Sequence, residues 1–208
     1  MRGKPTRWWL LFLALGCARA QSTSTLPGPS VSEKWNFFVG ETVSPLTLVA
    51  AGPDAIVSQM TRSTPLYGKH FWRNDAFLKR LGATVGDNVS QNFFADFVMA
   101  SAFHEDTRYV RKGASRTSGK TWSRIGYAIS RAVITRTDSG AATFNWANVT
   151  GCAMSAALSN AYYPRGSRTA GLAAVNWGTN VAGAGLSNLL PEFGSDVGRW
   201  MKRHLLRH

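Results

Sequence analysis

This sequence has almost no capacity for disulfides. Its 208 residues hold two cysteines, Cys17 and Cys152. Cys17 falls in a leader: "MRGKPTR" supplies positive charge, "WWLLFLALG" a short apolar core, and "ARA" a small-residue cleavage site that would leave Gln21 first. The core is too short to span a bilayer as a helix. Lipid attachment through "ALGC" at Cys17 is the alternative to simple cleavage after Ala20. Either way Cys152 alone remains for the folded part, which excludes a disulfide-stapled scaffold despite an oxidising destination. Cys152 sits in "NVTGCAMSAAL" with no cation nearby to lower its pKa, so a packing role is expected of it.

Acidic residues are also scarce, 11 against 24 Lys and Arg, for a formal charge of +13. Arg2, Lys4, Arg7 and Arg19 would leave with the leader, and every carboxylate would stay. A basic exported chain suits an anionic membrane or envelope surface, and export argues against nucleic acid. Strong chemical motifs are missing as well. There is no G-x-G-x-x-G, P-loop, G-x-S-x-G, H-E-x-x-H or paired C-x-x-C, and no repeat of solenoid length. No cofactor is therefore expected, and no metal.

What is present is mostly helical in pattern. Residues 21–32 are polar and broken by Pro and Gly, as in a flexible tether, and 33–208 reads as one helical domain. Trp35, Phe38 and Val39 have helical spacing, Ser44-Pro45 is a helix-start signal, and "NDAFLKRLG" reads as a short helix closed at Gly82. The apolar run 90–103 lacks strict alternation and reads as a buried helix. "TWSRIGYAISRAVITR" has an apolar stripe of Trp122, Ile125, Ile129 and Val133.

From Ser139 to Pro164 there are 26 residues without a charge, and from Thr169 to Pro191 another 23. Small residues recur four apart in both, at Ala153, Ala157 and Ala161, then Ala170, Ala174, Gly178 and Ala182. Two helices near 146–161 and 169–190 are expected to pack closely on these ladders, either as a membrane hairpin or as a tight soluble pair. Their asparagines favour the second reading. The tail "DVGRWMKRHLLRH" reads as a basic amphipathic helix, suited to an anionic surface or to docking by its apolar stripe. The expected fold class is all-α, with five to seven helices.

Four blocks, "FHEDTRYVRKG", "SRIGYAISRAVITRTDSG", "ALSNAYYP" and "EFGSDVGR", follow one another in order. Together they resemble a family of uncharacterised exported bacterial proteins whose motifs run H-x-D-P-R-Y-F-R-x-G, S-R-x-x-Y-A-x-S and I-S-N-x-Y-Y-P. Here Thr107 stands where that pattern has a proline, and Val110 where it has an aromatic. The resemblance covers roughly residues 33 to 200 and implies export and a shared helical fold; it implies no reaction.

The block "HEDTRY" poses the question of chemistry. His104 and Asp106 face the same way only on extended backbone; Asp138 or His70 would be the third ligand of a metal site, and Asp106 or Asp138 the carboxylate that orients His104 as a general base. The structural alternative joins Asp106, Arg108, Arg136 and Asp138 in crossed ion pairs at two helix exits, covered by Tyr109, Tyr162 and Tyr163. The chain is expected to be a structural or interaction protein of the cell envelope, membrane-associated and able to self-associate as a homo-oligomer. The rivals are an envelope hydrolase or metal-dependent enzyme built on His104 and Asp106, and a periplasmic binder of glycan or lipid. The two N-x-S/T matches, at Asn88 and Asn148, are taken as chance.

Overall fold

The structure is a computed structural model that describes residues 28–44, 65, 67, 76–113 and 121–205. The expected leader, most of the tether, the helix expected from Pro45 onward, His70 and the loop 114–120 lie outside the described residues. The fold is all-α with a small three-stranded sheet. Its described residues fall into two compact units.

The larger unit gathers 28–44, 76–107 and 132–184. Helix α1 (Val31–Thr42) starts at Ser30, whose hydroxyl accepts from Glu33 N while Glu33 reaches back to Ser30 N, a reciprocal capping box. Helix α2 (Ala76–Asn92) runs straight through Gly82 and on into a π-helical stretch, Phe93–Met99, and a last α turn, Ala100–Ala102. Gly82 therefore does not close a helix. A glycine inside a helix costs about 1 kcal/mol against alanine, which tertiary packing absorbs. On this helix Ala76, Arg80 and Ala83 are buried, while Leu78 is exposed.

The wide π turns bring Phe93 and Phe97 against Phe38 and Trp35, with ring centroids 5.0 to 6.5 Å apart across the two helices. Helix α4 (Trp146–Tyr162) lies across the same stretch, with Ala147, Gly151, Cys152, Ser155, Ala156 and Ser159 turned inward. A Cβ placed on Gly151 would sit 2.5 Å from the backbone of Ala95, so the two helices approach at backbone distance there. Close packing on small residues is thus real, but α4 achieves it against the π stretch. Ala153, Ala157 and Ala161 are exposed, as are Ala170, Ala174, Gly178 and Ala182 on α5 (Ala170–Ser187). The ladder read from sequence is one face away from the ladder that packs. Helices α4 and α5 meet instead through polar side chains, with Trp177 Nε1 donating to Val149 O.

The sheet was not expected. Strand β1 (Glu105–Asp106) pairs antiparallel with β2 (Ile134–Thr137), and β2 with β3 (Ala142–Phe144). Its short strands hold the start of α4 beside the end of the α2 rod.

The smaller unit gathers 108–113, 121–131 and 185–205, including α3 (Thr121–Ser130) and α6 (Leu189–Leu205). Helix α3 buries Arg124 and Ala128, not its apolar stripe: Trp122 and Ile129 are exposed. Val133, the last member expected of that stripe, is exposed too and belongs to the larger unit. No helix among the described residues is long and apolar enough to cross a membrane.

Candidate functional site

The "HEDTRY" block turns a corner after the helical rod. His104 adopts φ +54°, a left-handed conformation uncommon outside glycine, and its carbonyl accepts from Asp138 N at 2.8 Å. The turn sends the flanking side chains apart. His104 is exposed, its Nδ1 3.8 Å from Asp138 Oδ2, while Glu105 is buried. Asp106 lies on β1 opposite Arg136 on β2, and its carbonyl accepts from Thr135 Oγ1.

Glu105 is the most deeply buried residue of this block, and it was absent from the expected cluster. Its carboxylate accepts from Trp146 N at 3.2 Å and Ala147 N at 2.9 Å, the first amides of α4. Asn145 Oδ1 takes Asn148 N, so side chains satisfy the amides of Trp146, Ala147 and Asn148, while Asn145 N donates to the Val133 carbonyl. A negative group is also favoured there by the helix dipole. Burial pushes the Glu105 carboxyl above its ordinary pKa, opposed by the two amides and by Lys34. The signal available in the sequence was weak: one carboxylate beside a more conspicuous His and Asp.

Asp138 meets Lys34, a residue outside the expected cluster. Lys34 Nζ lies 2.8 Å from Asp138 Oδ2 and 2.9 Å from the carbonyl of Ala100 in the last helical turn. The lysine is buried and sits one turn before Phe38 on α1, so its stem packs while its head is paired.

Tyr162 and Tyr163 close a different corner. Their hydroxyls donate to the two oxygens of Asp87 at 2.5 and 2.6 Å. Both phenols are raised well above their usual range, first by burial and then by the adjacent Asp87 carboxylate. This ties the end of α4 to the middle of α2.

Tyr109 belongs to the smaller unit, where it donates to Glu192 at 2.8 Å. Glu192 is fully buried and also accepts from Lys112 N, Gly113 N and Arg124 Nε. Asp196 Oδ2 receives Arg124 and Arg111 at 2.7 and 2.8 Å. Arg111 and Arg124 each donate to the Glu192 carbonyl as well. Burial alone would raise the Glu192 carboxyl, but Arg124, Tyr109 and the two amides outweigh it and hold it below its ordinary value. Asp196 is lowered in the same way by the two arginines.

The expected cluster is thus divided. Asp138 is held by Lys34, Tyr162 and Tyr163 by Asp87, and Tyr109 by Glu192. Asp106 and Arg136 face each other across the sheet, and Arg108 begins the smaller unit. Of the expected catalytic candidates, His104 has Nδ1 3.8 Å from Asp138 Oδ2, and Asp106 lies on β1 opposite Arg136. Among the described residues no group of three or more His, Cys, Asp or Glu is placed to hold a metal ion. Cys152 is buried and its thiol is pushed up to about 12 by burial and by the neighbouring Asp96. The arrangement ties helix ends together through paired carboxylates, with Asp138 Oδ1 left buried without a partner.

No protein-family model, no curated protein and no solved structure matches this chain.

Proposed function

We propose that this chain is an exported cell-envelope protein of structural or interaction type, associated with an anionic membrane or envelope surface. The observation that carries the reading is α5. It has 18 residues, no charge, and buries only Gly185, leaving Val175, Trp177 and Leu186 exposed. An extended uncharged helix with large apolar side chains in solvent marks a surface that another body covers. The basic excess of the chain favours an anionic setting for that contact. Spanning insertion of residues 139–191 is not part of the proposal.

The test is fractionation of the chain expressed with its own leader. Recovery from envelopes by alkali or salt, or as a homo-oligomer in gel filtration with light scattering, is the expected result. A monomer found only in the soluble pool would overturn it.

A hydrolase or metal-dependent enzyme is the second reading, favoured by the exposed His104, its left-handed backbone and the nearby Asp138, whose Oδ1 is buried without a partner. His104→Ala distinguishes the two. Under the first reading melting and fractionation are unchanged. Loss of a metal-dependent or hydrolytic activity with the fold intact would favour the second.

A further inference from the structure

Helix α6 is amphipathic, and the smaller unit holds it by the polar face. Glu192 and Asp196 turn inward to Arg111 and Arg124. The opposite face carries Leu190 and Val197, 63% and 52% exposed, and Trp200, 54% exposed, flanks it one turn beyond Asp196. The same inversion occurs on α3, where Arg124 is buried and Trp122 is 78% exposed. A water-facing helix ordinarily does the reverse.

Charge indicates what covers the face. The described residues of this unit include eight Lys and Arg against two carboxylates. Both carboxylates are neutralised within the unit, while Lys202 and Arg203 project from the last turns of α6. Bulky apolar side chains on one face with long basic side chains on the other are what a helix lying in the plane of an anionic bilayer requires. The apolar row enters the acyl boundary and the basic stems reach back to phosphate.

We infer that α6 lies flat on an anionic lipid bilayer, with Leu190, Val197 and Trp200 in the acyl boundary and Lys202 and Arg203 at the headgroups. The Glu192–Arg124 cluster fixes the helix in this orientation before it meets lipid, so no partner side chain has to be released on binding. This rests on the envelope reading above and names the partner of one surface.

The test is co-sedimentation of the full purified chain with phosphatidylcholine vesicles, with and without 30 mol% phosphatidylglycerol. Binding is expected to be at least tenfold stronger with the anionic lipid and to weaken in high salt. Lys202→Glu with Arg203→Glu should lower binding to the anionic vesicles by about 25-fold or more, since each basic residue contributes about fivefold near such a surface. Val197→Ser with Trp200→Ser should lower it by about tenfold or more through lost apolar burial, with the melting temperature unchanged because both side chains are exposed. Undiminished binding in that apolar double variant, still abolished by salt, would overturn the inference in favour of an electrostatic partner such as acidic polysaccharide. Failure to bind vesicles by a chain that still fractionates with envelopes would overturn it and leave the broader function standing. Failure on both counts would remove both.

Discussion

The two units bury charge in opposite ways. In the smaller one, Glu192 has four donors and Asp196 three arginines, Arg111, Arg124 and Arg199, and both carboxyls lie below their ordinary pKa. In the larger one, Glu105 is raised, and Asp96, inside the π stretch, is pushed up to about 7 by burial and then by Glu41. Its hydrogen bond from Thr107 offsets this only in part. A buried carboxylate is stable as an anion only when donors replace its lost water; with too few, the neutral form is preferred. The units should therefore respond to acid with opposite sign. Stability from Glu192 and Asp196 is present above the ordinary carboxylate range and lost as pH falls through their lowered values. Stability linked to Glu105 and Asp96 is full below that range and lost as pH rises, for Asp96 through about pH 7.

The contrast is broken most directly at Glu192. Glu192→Gln removes one of the two counter-charges of buried Arg124, leaving only Asp196, and should destabilise the smaller unit by about 3–5 kcal/mol, measured by denaturant unfolding at pH 7. The difference from wild type should shrink below pH 4; an unchanged difference would show that the ion pair is not the cause. In the larger unit the corresponding weak point is steric. Gly151→Val should cost about 2–4 kcal/mol, because the Cβ meets the Ala95 backbone and no side chain is there to move aside. Hydrogen exchange should localise that loss to α4 and the π stretch.

Asp96→Asn sharpens the pH contrast. It should raise the stability of the larger unit by about 1–3 kcal/mol at pH 8 and by much less at pH 5, removing the decline between them. A parallel offset at both pH values would refute the assignment to Asp96 ionisation. The smallest effect is expected at Gly82→Ala, where an added Cβ meets nothing within 4 Å and the backbone is helical. A gain of about 0.5–1 kcal/mol in thermal melts would show that this glycine serves no helix end.

Helix positions were legible to different degrees. The pair at 146–162 and 170–187 could be read from uncharged stretches and the polar interruption between them, because helix formation there follows local pattern. The faces could not. On α3 the apolar stripe suggested burial of Trp122 and Ile129, yet Arg124 is inside because Glu192 and Asp196, nearly 70 positions away, satisfy it. On α4 the ladder at Ala153 and Ala157 competes with an equally small one at Gly151, Ser155 and Ser159, and spacing alone does not choose between them. The site was legible only as a polar block. That its buried member is Glu105 depends on the left-handed turn at His104 and on where α4 begins.

The sequence by itself determined the helical class, two helices expected near 146–161 and 169–190 and found at 146–162 and 170–187, the strong basic excess and the packing role of Cys152. These follow from local periodicity and composition, which act over a few turns of chain. Tertiary structure decided which faces are buried, the pairing of Lys34 with Asp138, Asp87 with the two tyrosines and Glu192 with Arg124, and the continuation of α2 through Gly82. In each case the outcome depends on whether a distant partner supplies a donor, a counter-charge or a gap in the packing, and no local pattern carries that information.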